Sequence, residues 1–376
     1  MLDTPILQFG TGRFLQAHVD LFVSEALHRG QALGGIAIVQ STDSEQSTAR
    51  LAGLSDARGY PVHVRGLRQG RPIDEEVRVD SVRATWHAER DWARLVDAVS
   101  TQTRVIVSNT ADRGYDLDPA DNGALLADAG TVPRSFPAKL VVLLHHRWRR
   151  LPSAPMTLMP CELVGRNGHT LRALVLGLAG TWDASPDFLA YLGDHCVWVN
   201  SLVDRIVSEP LHPAGAIAEP YALWAIEHQP RMVLPCSHPA IVLTDDLAAF
   251  ERRKLWLLNL AHTVLAEAWL ADGACPGETV LDAMNHTARR GNLEAVWRDE
   301  VLPVFDALGQ GEDARGYLVE VRDRLLNPFL VHRLADIAQN HTQKKLRRIV
   351  PVIEAAASLK VEVEQQRLKS MVRTDA

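Results

Sequence analysis

The chain has 376 residues, of which 47% are hydrophobic and 23% charged, enough for two domains that each bury a core. The net charge of −6 disfavours wholesale nucleic-acid binding, so no nucleic-acid partner is expected. No window approaches 18 unbroken apolar residues, and no membrane span is therefore expected.

Cysteine usage favours a cytoplasmic location. The four cysteines form no CxxC pair, and their gaps match no zinc spacing. Free thiols in a reducing compartment, without a metal site, are the expectation. The chain enters a predicted strand within five residues and shows neither the basic nor the apolar segment of a signal peptide, so no secretory signal is expected.

The first half of the chain alternates predicted strands with predicted helices. In chain order these are a strand at Ile6–Phe9, a helix from Phe14 to about His28, a strand at Ile36–Val39, a meander with a hairpin between Arg50 and Val82, a helix over 91–100, a strand at Arg104–Val107, a helix near Ala138–Arg150 and a strand at Met156–Pro160. Strand–helix alternation predicts a parallel sheet covered on both faces.

The second half has helical periodicity and little strand signal. The stretch 248–270 predicts one long helix that is apolar nearly all round and therefore buried. Helical patterns continue to the polar tail that begins at Lys360, which is expected to fray. The predicted organisation is a dinucleotide-binding domain over 1–245 and an all-helical substrate and catalytic domain over 246–376.

Two glycines follow the first predicted strand. Gly10 and Gly12 are spaced as in a dinucleotide-binding turn, where glycine permits a tight bend and a close approach of the backbone to a pyrophosphate. The following helix would offer its free N–H groups to that anion. Leu15 occupies the place of the usual third glycine, so a plain strand-to-helix turn is the alternative.

The end of the second strand bears on the choice of cofactor. An acidic residue there accepts a hydrogen bond from the adenosine ribose and repels a 2′-phosphate. The strand ends in "VQSTDS", so Asp43 comes two or three residues after the tip of the strand, and no arginine lies in the turn. NAD is therefore favoured over NADP, and the fold class is predicted as α/β with a Rossmann-like amino-terminal domain and a mainly α-helical carboxy-terminal domain.

Four polar residues share one side of the long apolar helix. At 100° per residue, Glu251, Lys254, Asn259 and His262 fall within an arc of roughly 140°, with Lys254 and His262 about 12 Å apart along the axis. A buried lysine can take the hydroxyl proton of an alcohol as hydride leaves, while an amide and an imidazole donate hydrogen bonds to its oxygen. The alternative is a core helix with satisfied polar side chains.

The chain resembles the polyol-specific long-chain dehydrogenases. The resemblance is carried by Lys254-x4-Asn259-x2-His262 and by blocks in the same order along the chain, namely "FGTGRFLQAH", "VSNTAD", "PCELVGRNG", "VNSLVDRIV" and "AEPYALWAIE". It implies a zinc-independent enzyme in which hydride passes between a nicotinamide cofactor and a small-molecule sugar acid or polyol. A monomer or weak homodimer is expected.

The resemblance also implies roles for individual residues. Lys254 would be the general acid/base, Asn259, His262 and Asn200 would contact the reacting oxygen, and Glu251 would exchange protons with solvent. The residues implied to contact the cofactor are, at the pyrophosphate side, Gly10, Gly12, Arg13 and Phe14, and, at the nicotinamide side, Asn109 and Thr110.

Local motifs are most similar to the family branch that acts on tagaturonate and altronate. Mannitol, mannitol 1-phosphate and fructuronate are alternative substrate classes, and an inactive nucleotide-binding sensor is a further alternative. A uronate carboxylate requires a cation, and the sequence leaves its identity open among Arg205, Arg252, Arg253 and the pair Lys344–Lys345.

Overall fold

The computed structural model describes residues 4–41, 45–110, 114–128 and 130–373. The chain divides into two compact units. The first consists of Met1–Val64, Glu75–Ala218 and Ala222–Leu247, and the second of Arg65–Asp74, Glu219–Tyr221 and Ala248–Ala376. Two short segments from the predicted 1–245 domain therefore belong to the second unit, in addition to the predicted carboxy-terminal part.

The described residues contain thirteen strands. They are β1 Ile6–Phe9, β2 Ile36–Gln40, β3 Tyr60–Arg68, β4 Arg71–Val79, β5 Val82–His87, β6 Val105–Ser108, β7 Met156–Pro160, β8 Cys196–Trp198, β9 Ser201–Asp204, β10 Val207–Pro210, β11 Ala216–Ala218, β12 Leu223–Glu227 and β13 Ile241–Thr244.

A six-stranded parallel sheet forms the centre of the first unit. Its strand order is β5-β2-β1-β6-β7-β8, so the order reverses between β1 and β6. Strands β1, β2, β6 and β7 are buried along their whole length, which explains their unbroken apolar character. The α/β prediction with a Rossmann-like parallel sheet is confirmed, and the order matches the doubly wound dinucleotide-binding arrangement.

Helices cover the sheet of the first unit. They occupy Arg13–Leu15 and Leu21–His28, joined by the π-helical segment Gln16–Asp20, and then Glu45–Leu54, Trp92–Thr101, Phe136–Arg150, Asn167–Thr181 and Pro186–Asp194, with a 3₁₀ turn at Gly123–Leu126. Ser135 and Ser185 cap their helices by accepting hydrogen bonds from backbone N–H groups three residues on.

Two smaller sheets are built from the predicted hairpin, which forms β3 and β4, and from short strands that the sequence left unassigned. One has the order β10-β11-β3-β4 and the other β13-β12-β9. All of β8–β13 have only three to five residues, too few for a clear alternation of apolar and polar positions. Their pairing partners lie far away in sequence, as in Ala216 opposite Val62.

The carboxy-terminal part of the chain is mainly α-helical, as the predicted fold class states. Its helices are Leu247–Arg253, Leu260–Ala271, Val280–Asn285, Thr287–Ala295, Leu302–Ala307, Gly311–Leu325, Leu334–Ile337, His341–Arg348, Val350–Ser358 and Gln366–Arg373, with π-helical segments at Lys254–Asn259 and Val296–Val301. Among the described residues, none of the helices is long and apolar enough to cross a membrane.

The prediction of a frayed tail is wrong for 366–373. The helix Gln366–Arg373 buries Leu368 completely and Met371 almost completely in the core of the second unit. The buried carboxylate of Glu300 accepts hydrogen bonds from the backbone N–H groups of Arg367 and Leu368 at 3.0 and 2.9 Å. A cap supplied from 67 residues away cannot be recognised from the local sequence.

Candidate active site

The candidate cofactor residues of the first unit lie at the carboxyl edge of the parallel sheet. Gly10 follows β1, Asn109 follows β6 and Cys161 follows β7, and these three strands are neighbours. The backbone N–H of Asn109 donates to Phe9 O at 3.0 Å, and its side-chain amide donates to Cys161 O at 2.8 Å. The three strand ends are therefore joined next to the point where the strand order reverses, the usual place for a ligand in such sheets.

Gly10 has a conformation and an environment that exclude other residues. Its φ is +123°, and a Cβ atom would lie 2.6 Å from Asn109 O. Gly12 differs, since its φ is −68° and a Cβ there would meet nothing within 4 Å. The first glycine is thus required by the bend, whereas the second leaves open space above the start of the helix.

The segment that follows the turn is held in place by side chains within the first unit. Gln16 donates to Thr11 O at 2.8 Å and accepts from the backbone N–H of Gly215 at 2.7 Å. Arg13 is exposed and donates through Nε to Val207 O at 3.2 Å. Phe14 stacks on the buried ring of His18 with 4.8 Å between ring centroids. The "RFLQAH" motif therefore supports the turn by packing and by hydrogen bonds.

A buried carboxylate, Glu162, organises the loop after β6. It accepts hydrogen bonds from the hydroxyl of Ser108 at 3.1 Å and from the backbone N–H and hydroxyl of Thr110 at 3.0 and 2.9 Å. Tyr115 also donates to it at 3.3 Å, and burial together with this carboxylate raises the pKa of Tyr115. Sequence reasoning matched the "PCE" block but gave Glu162 no role, because a strand end alone does not show which loop its side chain reaches.

Asn200 is buried between β8 and β9 and held by two neighbours. Its Oδ1 accepts from the backbone N–H of His169 at 3.0 Å, and its Nδ2 donates to Glu227 Oε2 at 2.6 Å. Nδ2 also lies 3.2 Å from His169 Nδ1. The side chain of Glu227 therefore fixes the orientation of the Asn200 amide, a positioning contact that the sequence did not indicate.

Asp43, the expected ribose ligand, lies outside the described residues. The preceding residues are described: Gln40 is buried at the end of β2, and Ser41 is exposed.

In the second unit, the candidate catalytic residues share one continuous helical segment, 247–271, whose π-helical part is Lys254–Asn259. Glu251 is exposed, Lys254 and Asn259 are half-buried, and His262 is buried. The prediction assumed an α-helix throughout. In a π-turn the backbone bonds run from i to i+5, so residues five apart lie closer to one side of the helix than they would in an α-helix. The side chains of Lys254 and Asn259 therefore project from the helix axis in more similar directions than the roughly 140° separation expected for an α-helix.

His262 and Asn259 have neighbours from later helices of the same unit. The rings of His262 and His332 meet edge to face with 4.9 Å between their centroids. Arg348 donates through Nη1 to Asn259 O and to Thr263 Oγ1, both at 3.1 Å. No group of three or more potential metal ligands occurs among the residues that the structure describes.

Two family models match the chain and together cover most of it. The model described as the mannitol dehydrogenase Rossmann domain matches residues 4–234, and the model described as the mannitol dehydrogenase C-terminal domain matches residues 246–373.

Curated relatives named altronate oxidoreductase are similar over most of the chain. The protein from Pectobacterium carotovorum is 32% identical over 371 residues, which cover 92% of this chain and 73% of that protein. The protein from Bacillus subtilis is 29% identical over 389 residues, covering 96% of this chain and 77% of that protein.

Two solved structures share the fold. D-sorbitol dehydrogenase in substrate-free form has a TM-score of 0.81 at 21% identity, over 96% of this chain and 78% of that one. Pseudomonas fluorescens mannitol 2-dehydrogenase, solved as a ternary complex with NAD and D-mannitol, has a TM-score of 0.72 at 19% identity, over 99% of this chain and 78% of that one.

Proposed function

The chain belongs to the mannitol dehydrogenase family of oxidoreductases, and on that premise we propose that it interconverts the secondary alcohol and the ketone of a sugar acid with NAD(H) as cofactor. An altronate-like substrate is supported by the relatives named altronate oxidoreductase, which are about 30% identical over most of this chain. The observation that carries the proposal is the Lys254–Asn259 π-turn directly before the buried His262.

The first unit has the features that a dinucleotide requires. The turn at Gly10 allows the backbone to approach a pyrophosphate, and the helix that starts at Arg13 offers the N–H groups of its first turn. We assign the pyrophosphate to Gly10, Gly12, Arg13 and Phe14, and the nicotinamide to Asn109 and Thr110. NAD, when bound, supplies the hydride acceptor for oxidation.

The residues of the long helix would handle the proton and the oxygen. Lys254 Nζ takes the hydroxyl proton during alcohol oxidation and returns it to the oxygen during ketone reduction. Asn259 and His262 donate hydrogen bonds to the oxygen as its charge changes, and Asn200 is assigned to the same oxygen. Glu251, exposed one helical turn before Lys254, exchanges protons with solvent.

A spectrophotometric assay at 340 nm tests the proposal. Tagaturonate, fructuronate, fructose and fructose 6-phosphate are each offered with NADH and with NADPH, with Lys254→Ala as the matched control. Rapid oxidation of NADH with tagaturonate is expected, with slower rates for the other substrates and for NADPH. If all four substrates leave both cofactors unchanged, the proposed function is wrong.

A further inference from the structure

The structure reduces the number of candidate cations for an anionic substrate group. Three of the candidates in the second unit already have side-chain partners. Lys345 is buried 3.2 Å from Glu267 Oε2. Arg253 pairs with Asp313 at 3.1 Å and lies over the Phe250 ring. Arg252 donates to Gln310 at 3.2 Å.

Arg205, in the first unit, is buried and donates to Ala17 O. Of the five candidates named from the sequence, Lys345 and Arg253 are therefore paired with carboxylates, whereas Arg205, Arg252 and Lys344 each donate to a neutral oxygen atom.

Lys344 and Arg348 lie four residues apart on the helix His341–Arg348 and are both half-buried. Lys344 Nζ donates to Ile337 O at 2.7 Å, and the contacts of Arg348 Nη1 are to Asn259 O and Thr263 Oγ1. Among the described residues, neither side chain has a carboxylate within 4.0 Å, so neither charge is paired. In the described part of the chain, two of the three Nζ–H donors of Lys344 also have no acceptor. The same is true of the donors on Nε and Nη2 of Arg348.

These two cations are close to each other and to the candidate catalytic residues of their unit. Burial lowers the pKa of Lys344, and the Arg348 charge lowers it further. Burial also lowers the pKa of His332, an effect that Lys344 increases and Asp336 opposes. Because His332 contacts the His262 ring and Arg348 contacts Asn259 O, the pair of cations adjoins the segment Asn259–His262.

Half-buried, unpaired cations are costly unless a bound anion compensates them. We propose that Lys344 and Arg348 form the subsite for the anionic end group of the sugar substrate and so select charged sugars over neutral polyols. This inference rests on the proposed function, since it concerns the same substrate. A carboxylate or a phosphate oxygen would accept charge-assisted hydrogen bonds from both side chains, whereas a hydroxyl group could not compensate the two charges.

The test compares anionic and neutral substrates in matched variants. Lys344→Met removes the charge but keeps the aliphatic stem, and Arg347→Met does the same at an exposed position of the same helix. With NADH, the ratio of kcat/KM for tagaturonate to that for fructose is expected to fall roughly tenfold to hundredfold in Lys344→Met, mainly through KM. Arg347→Met should leave the ratio unchanged.

Fructose 6-phosphate distinguishes the two possible anions. If Lys344→Met lowers kcat/KM relative to fructose only for tagaturonate, the end group bound by the subsite is a carboxylate. If it lowers this ratio only for fructose 6-phosphate, the end group is a phosphate. If Lys344→Met changes neither ratio, the subsite is overturned while the proposed function stands. Arg348→Lys, which keeps the charge, should retain more of the ratio than Arg348→Met, and thermal melts verify that each variant is folded.

Direct binding separates this inference from the proposed function. If the wild type turns over none of the substrates, calorimetry with altronate and with mannitol still measures the subsite in the presence of NAD. Tighter binding of altronate by the wild type, weakened at least tenfold in Lys344→Met, would support the subsite. Equal binding of altronate and mannitol, or equal binding of altronate by both proteins, would overturn it.

Discussion

Gly10 shows how a single backbone position limits the substitutions that the first unit accepts. Its positive φ is costly for any residue with a Cβ atom, and that atom would also approach Asn109 O to 2.6 Å. The neighbouring strand end would have to move to accommodate it. Because that strand end carries Asn109, a change at Gly10 also affects the proposed nicotinamide side.

Gly10→Ala is expected to destabilise the first unit by roughly 1–3 kcal/mol or more and to weaken NADH binding. Gly12→Ala is the matched control, since its φ is ordinary and a Cβ meets no atom within 4 Å, so its free energy of unfolding should change by less than about 0.5 kcal/mol. Urea unfolding and NADH fluorescence titration measure both effects. Equal unfolding free energies for the two variants would contradict the steric argument.

Lys254 is the residue on which the proposed proton transfer depends. Replacing Lys254 by Ala is expected to lower kcat about 10²- to 10⁴-fold and to leave NADH binding intact. Lys254→Arg separates charge from proton transfer, because an arginine keeps the charge but cannot act as a base. Both variants should therefore show this loss of kcat in steady-state assays at every pH. Near-full activity of Lys254→Ala would rule out the assignment.

At the scale of elements, π-helical segments contain or adjoin the residues assigned to the site. The segment Gln16–Asp20 follows the glycine turn, and Lys254–Asn259 begins and ends with two residues assigned to catalysis. A π-turn is less favourable than an α-turn and is found mostly at functional sites, so its presence agrees with the assignment. Periodicity averaged over a long helix does not reveal it, because one wider turn shifts the pattern only slightly.

The last helix, Gln366–Arg373, depends on contacts with the rest of the second unit. Leu368→Ala removes a completely buried side chain and is expected to cost about 2–5 kcal/mol of unfolding free energy. Leu359→Ala, at a position that is 40% exposed, is the control and should cost less than about 1 kcal/mol. Chemical denaturation gives both values. Similar losses in the two variants would show that the helix is not docked in solution.

At the scale of the whole molecule, the buried Asp20 links the stability of the first unit to pH. Burial raises the pKa of Asp20 to about 7, although the Tyr60 hydroxyl, which donates to it at 2.7 Å, opposes the rise. The folded protein thus keeps a proton that the unfolded chain releases near pH 4. The contribution of Asp20 is complete below that value and is lost as pH rises to about 7.

Asp20→Asn should remove this dependence. Between pH 5 and pH 7, the wild type is expected to lose stability relative to the variant by roughly 1.4 kcal/mol per pH unit, measured by urea unfolding at both values. Tyr60→Phe removes the opposing hydroxyl, so the loss should extend to higher pH. A difference between wild type and Asp20→Asn that is constant with pH would disprove the linkage.

Much of the architecture follows from local patterns in the chain. Buried parallel strands must be continuously apolar, so Ile6–Phe9 and Met156–Pro160 could be predicted to the residue. The glycines and the spacing from Lys254 to His262 identified the family, because the turn and the proton transfer each require particular residue types at fixed separations. The short strands of the smaller sheets were missed because their stability comes from distant partners.

The sequence by itself determined the α/β class, the helical character of the later part and the identity of most candidate residues. Only the tertiary structure decided what surrounds them. It showed that Glu162 accepts a hydrogen bond from the loop after β6 and that Glu227 orients Asn200. It also placed Arg348 beside Asn259, with Lys344 four residues before Arg348 on the same helix. The physical reason is that local propensity depends on neighbours along the chain, whereas burial and charge pairing depend on residues that folding brings together from far apart.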